Sequence, residues 1–172
     1  MTVVRRTRKG GFTLVEILIV VIILGILAAI VIPQFTSASQ DARKNSLTSQ
    51  LQTLRSQIEL YKLQHLDKLP TGLSATTTDW TQMTSKTDSA GTVGTTSTHA
   101  FGPYLQAVPT NPLNGLTGIK VVTSDVTAGG ASGAATTDGF IFNSSNGKMW
   151  GTSAKTTKVY NEGDPSDANN DL

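Results

Sequence analysis

Residues 17–32 are apolar without a break apart from Gly25, and with Phe12, Leu14 and Val15 the greasy stretch runs to about 20 residues. As a helix rising about 1.5 Å per residue it spans about 30 Å, the thickness of a membrane's hydrocarbon core. Three roles compete for such a segment. A secretory signal peptide has an apolar region of about 7–15 residues followed by a small-residue cleavage site. Here the small pair Ala28–Ala29 is followed by Ile30, Val31 and Ile32. A buried core helix needs an apolar surround, and the rest of the chain is rich in Thr, Ser, Gly, Asn and Asp. A membrane anchor fits best.

The charge pattern sharpens this. Arg5, Arg6, Arg8 and Lys9 precede the apolar run, and no acid accompanies them in the first eleven residues. By the positive-inside rule this end stays in the cytoplasm. Setting these four aside leaves 10 of the 14 Lys and Arg against 12 Asp and Glu, a net charge of about −2. The basic character is thus a property of the leader, and the remainder offers no clustered basic surface for nucleic acid. The chain has no cysteine, which excludes disulfides, thiolate metal sites and cysteine nucleophiles.

The anchor reading leaves Glu16 to be explained. An acid at the centre of a membrane span costs on the order of 2.5–3.5 kcal/mol, and less near the edge. On the plain reading Glu16 snorkels to the interface. On the sharper one it meets a cationic partner inside the apolar phase.

Lys9-Gly10-Gly11-Phe12-Thr13-Leu14-Val15-Glu16 resembles the processing motif of type IV prepilins and of the pseudopilins of type II secretion, most of all the major pseudopilin. The basic leader, the glycine, the phenylalanine, the acid and the apolar run with Pro33 all fall in register. The resemblance implies cleavage between Gly11 and Phe12 by a membrane aspartyl prepilin peptidase, and N-methylation of the Phe12 amine. It implies further that Glu16 of one subunit pairs with the Phe12 amine of a neighbour in a homopolymeric filament. An inner-membrane assembly platform and minor pseudopilins would be its partners, with membrane lipid around the helix before assembly. Pro33 removes one helical hydrogen bond and should kink or loosen the helix. Gly25 permits close helix packing.

Beyond Pro33 the pattern becomes amphipathic. Leu47, Leu51, Leu54, Ile58 and Tyr61 recur at steps of four and three, one face of a helix. Leu60, Leu63 and Leu66 are expected to widen this stripe, and Leu69-Pro70-Thr71-Gly72 to close the helix, which should end near Lys68. A coiled coil is the alternative, but two to three heptads fall short of it. His65 is expected to be partly buried at the stripe's boundary. His99 lies in a Thr/Ser-rich loop, and two isolated histidines make neither a metal site nor a catalytic base.

Residues 74–98 read as a long loop with a short helix. The Gly-Pro-Tyr-Leu segment at 102–105, with Pro109 and Pro112, resembles the corresponding segment of major pseudopilins. Strand candidates follow at residues 119–123, 139–143 and 148–151, the last two joined by the turn 144–147, with a further edge at 158–160. The fold expected is α+β and pilin-like, a long N-terminal helix packed on a small antiparallel sheet. Residues 1–11 would be the cleaved leader, 12–33 the transmembrane and assembly helix, 34–69 the amphipathic helix, and 70–172 a loop-rich β domain. That domain would lie outside the cytoplasm.

The acidic tail has two readings. One is a polar end. The other, which the resemblance suggests, is a calcium loop using Asp164, Asp167 and Asp171, since hard cations gather carboxylate and carbonyl oxygens. No cofactor is required on either reading. No Gly-x-Ser-x-Gly, His-Glu-x-x-His or phosphate loop occurs, so a membrane-anchored enzyme is a remote alternative. The function expected is structural, as the major pseudopilin of a type II secretion system. A major pilin of a type IV pilus serving adhesion, motility or DNA uptake is the near alternative.

Overall fold

The computed structural model describes residues 11–73, 79–154, 157–164, 166, 167 and 170. The chain divides into two units, Met1–Ser39 and Gln40–Leu172. Helix α1, Leu14–Gln64, carries residues of both and runs through Pro33. In chain order there follow a 3-10 turn Thr71–Leu73, a short helix α2 Thr81–Thr84, and strands β1 Gly118–Val122, β2 Asp138–Asn143 and β3 Met149–Gly151.

In the first unit the apolar segment is covered on no side. Ile17, Leu18, Ile19, Val20, Val21, Ile22, Ile23 and Leu24 are all 48–60% exposed. Eight consecutive residues circle an α-helix more than twice, so among the described residues no face of this segment is buried. A helix that is apolar all round belongs in lipid or inside an assembly.

The second unit is built on the stripe read from the sequence. Leu47, Leu51, Leu54, Ile58 and Tyr61 are each at most 1% exposed. They form one core with Leu73, Met83, Leu113, Ile119, Phe140, Phe142, Met149 and Tyr160. Core packing rather than a coiled coil is therefore what the stripe serves. Leu60, Leu63 and Leu66 do not widen it, being 40%, 83% and 80% exposed. At about 100° per residue, Leu60 stands about 200° round from Ile58 and Leu63 about 200° round from Tyr61, away from the stripe.

The helix ends at Gln64, four residues before the expected point. Leu66 and Asp67 adopt left-handed backbone, with φ of 55° and 63°. The Asp67 N–H turns back to the Lys62 carbonyl at 2.9 Å. Such left-handed stops are usually marked by Gly or Asn, and neither stands here. His65 is fully buried rather than partly so. Its ring stacks on Tyr61 with centroids 3.8 Å apart. Nδ1 lies 2.8 Å from the Tyr61 carbonyl and Nε2 lies 2.9 Å from Thr87 Oγ1. A carbonyl only accepts, so Nδ1 carries the proton and His65 caps the helix from its side chain.

The sheet is mixed rather than antiparallel. β1 runs parallel to β2, with Ile119 opposite Phe140 and Val121 opposite Phe142. β2 runs antiparallel to β3, with Ile141 opposite Trp150. The β2–β3 turn uses Gly147 at φ +79°, as the sequence signal required. The β1–β2 connection is long enough to return the chain for a parallel pairing, which strand spacing alone did not reveal. Asp125 in that connection accepts bonds from Lys148, Asn146 and Asn143. Chiefly through Lys148, these hold its carboxyl below the usual range and fasten the connection to the hairpin. Residues 158–160 give isolated bridges, Ala131 with Lys158 and Thr152 with Val159, rather than a strand.

Helix and sheet approach closely. A Cβ on Gly151 would meet Leu47 Cδ2 at 2.9 Å, so β3 packs directly against the Leu47 side chain there. Arg55 on α1 donates to the Met149 carbonyl of β3 through Nε at 3.0 Å and Nη2 at 2.6 Å. The same guanidinium grips Glu162 in a bidentate pair, at 2.9 and 2.5 Å. It thereby joins helix, sheet and tail. The Trp80 indole N–H donates to the Thr117 carbonyl at 2.8 Å, and its ring meets Phe140 edge-on. That fixes α2 over the start of β1.

Two outcomes follow for the full chain in detergent. Leu51→Ala should lower unfolding free energy by about 2–5 kcal/mol, whereas Leu63→Ala should stay within about 0.5 kcal/mol; denaturant titration distinguishes them. Burial, with Tyr104 and Asp88 near by, pushes the Tyr61 phenol up to about 12 from an ordinary 10. The stability it contributes is complete below pH 10 and is lost as pH rises from 10 to 12, because the unfolded phenol ionises first. Tyr61→Phe should flatten that part of the stability–pH curve.

Candidate processing and assembly segment

The segment is organised by a helix start. Gly11, Phe12 and Thr13 precede α1 and are not helical. Thr13 Oγ1 accepts the Glu16 backbone N–H at 3.2 Å, and the Thr13 carbonyl accepts the Ile17 N–H at 3.3 Å. Thr13 is thus the N-cap and Glu16 the third helical residue, the Thr-x-x-Glu spacing of a capping box. Sequence reasoning passed over Thr13. The signal was present in Thr13-Leu14-Val15-Glu16 but was absorbed into the processing motif.

The cap gives Glu16 a local role besides any intermolecular one. An acid in the first turn is favoured by the helix dipole, by about 0.3–1 kcal/mol at an exposed position. Glu16 is exposed, as is Phe12 at 80%. The structure therefore places an open carboxylate one helical turn beyond the residue whose amine cleavage would free. The basic residues 5–9, and Gly10, lie outside the described residues.

Pro33 sits inside α1 and offers no N–H to the Ala29 carbonyl one turn back. Just after it, Thr36 Oγ1 donates to the Ile32 carbonyl and Ser37 Oγ to the Pro33 carbonyl, each at 3.2 Å. Side-chain bonds of this kind compete with the backbone ladder. Thr48, Ser49, Thr53 and Ser56 make the same bond farther along α1, so Pro33 alone sets this spot apart.

Of the residues expected to hold calcium, Asp164 and Asp167 are described. Asp164 Oδ1 accepts from the N–H and Oγ of Ser166, at 3.1 and 2.5 Å. Asp167 Oδ2 accepts from Asn161 Nδ2 at 3.1 Å. Asp171 lies outside the described residues. Among the described residues no group of three His, Cys, Asp or Glu comes together as a metal site. A calcium ion gathers six to eight oxygens at 2.3–2.6 Å, and the two described carboxylates each accept from a protein donor.

A family model and several curated proteins resemble parts of this chain, the family model over the capped, apolar start of α1. The prokaryotic N-terminal methylation motif is matched by residues 6–32. The type II secretion system core protein G of Dickeya chrysanthemi is 41% identical over 64 residues, covering 37% of this chain and 41% of that protein. The protein of the same name from Klebsiella michiganensis is 38% identical over 77 residues, covering 43% and 54%. The competence protein ComGC of Halalkalibacterium halodurans is 36% identical over 67 residues, covering 39% and 65%. The chain thus spans about half the length of the curated relatives it matches. No solved structure matches. The helix is long and apolar enough to cross a membrane, and with these relatives it suits a protein anchored in the inner membrane. None of these three names is that of an enzyme.

Proposed function

We propose that this chain is a structural subunit of a helical, pilus-like filament, as the major pseudopilin of a type II secretion system. The observation that carries the reading is the register of Gly11, Phe12 and Glu16 with an apolar helix that its own chain leaves uncovered. A segment apolar on every side has two stable surrounds, lipid and other copies of itself. In this reading it occupies them in turn.

The precursor sits in the inner membrane with its leader in the cytoplasm and residues 40–172 on the far side. Prepilin peptidase cuts between Gly11 and Phe12 and methylates the new amine. The Phe12 ammonium of one subunit then meets Glu16 of another. Each charge alone is costly in an apolar phase, and a paired, hydrogen-bonded arrangement lowers that cost. Because the pair forms only at one stagger, it sets the register of assembly. Pro33, which leaves one backbone carbonyl without its N–H, is where the helix can loosen as the subunit leaves the lipid. Assembly at an inner-membrane platform, with minor pseudopilins, would drive protein export without any bond being made or broken by this chain. No nucleic acid and no enzymatic activity belong to this role.

The likeness to the competence protein of Halalkalibacterium halodurans supports a second reading, a type IV pilus subunit serving DNA uptake, adhesion or motility. Deleting the gene separates the two, since loss of protein secretion supports the first and loss of twitching or surface fibres the second.

The protein purified from membranes should begin at a methylated Phe12 by N-terminal sequencing and mass measurement. A start at Met1 sinks the reading. Glu16→Ala should cut incorporation into filaments roughly tenfold or more, the effect of about 1.4 kcal/mol lost per contact. Processing at Phe12 should be unchanged. Normal filaments from Glu16→Ala would remove the pairing.

A further inference from the structure

Asn170 is fully buried although it lies two residues from the end of the chain. Its amide is used in both directions. Oδ1 accepts the Asn161 backbone N–H at 2.9 Å. Nδ2 donates to the carbonyls of Asn161 and Asp164, at 3.1 and 3.0 Å. Its own N–H reaches the Asp167 carbonyl at 2.8 Å. Asn161 answers from the other side of the loop. Its Oδ1 accepts the N–H groups of Gly163 and Asp164, at 3.2 and 3.3 Å, and its Nδ2 holds the Asp167 carboxylate.

A bound cation closes a loop by drawing carbonyl and carboxylate oxygens onto one positive centre. Here an amide NH2 does this for two carbonyls, and the two described carboxylates are turned to Ser166 and Asn161. The loop so closed presents Glu162, which pairs with Arg55 on α1. We infer that the C-terminal loop of this protein is locked by a neutral Asn161–Asn170 amide clasp, which holds Glu162 on Arg55 and needs no metal ion.

This inference is independent of the filament reading. The test uses the full chain in detergent, followed by thermal melting in millimolar calcium and in chelator. The wild type should melt at the same temperature in both. The full chain includes Asp171, so this comparison tests the whole acidic tail. Asn170→Ala should lower the melting temperature by roughly 4–8 °C equally in both, as expected for three lost side-chain bonds that orphan the Asn161 N–H and two carbonyls. Asn170→Asp replaces the NH2 donor with a third carboxylate. It should melt lower in chelator and recover in calcium, the behaviour of a site that has acquired a cation. A wild-type melting temperature that rises by several degrees on adding calcium would overturn the clasp. So would an Asn170→Ala protein that melts and resists limited proteolysis of its tail like the wild type. Either failure leaves processing at Phe12 untouched, so the two readings fall separately.

Discussion

Among the described residues, nothing covers the apolar start of α1. Apolar side chains circle residues 17–24 completely, and the core assembled from residues 47–160 is already filled by a different stripe of the same helix. At about 25 cal/mol per Å2, such an exposed surface carries a large free energy of transfer out of water. That energy needs an outlet beyond the chain, in lipid or in a neighbour. Everything else in the first unit modifies this constraint. The threonine cap fixes where the apolar rod starts, the acid in its first turn gives it one polar address, and the proline interrupts its bonding once.

The second unit solves the opposite problem. It holds a small three-stranded sheet and much irregular chain, with no cysteine to staple it. Its order comes from one helical stripe, close contact at Gly151, and side chains that bond backbone across elements. Arg55, Trp80, Asn111 and Asn170 belong to this last group. Asn111 Nδ2 donates to the carbonyls of Gly139 and Thr152, at 2.7 and 2.9 Å, while its Oδ1 accepts the Leu113 N–H at 2.9 Å. Buried amides used in both directions replace the ladders that a larger sheet would supply.

Period and punctuation were legible in the sequence. Steps of four and three placed the stripe correctly, and Asn146-Gly147 placed the β2–β3 turn. Whatever depends on partners distant in sequence was not legible. The orientation of β1 relative to β2 follows from how the chain between them returns, and its Gly/Ala/Ser/Thr composition says little about that. The end of α1 depends on left-handed Leu66 and Asp67, which a propensity reading does not anticipate. His65 is buried because Thr87, Phe101 and Tyr104 gather around it from 22 or more residues away. Of the candidate site, the register of Gly11, Phe12 and Glu16 was plain, while the capping role of Thr13 lay hidden inside it.

The position of that cap bears on how the leader is removed. Peptidases grip their substrates as extended chain, and a bond wound into a helix must first be unravelled. Residues 11 and 12 stand outside the helix, and Thr13 holds the first coil shut behind them. An enzyme cutting between Gly11 and Phe12 would meet a bond that the helix does not include.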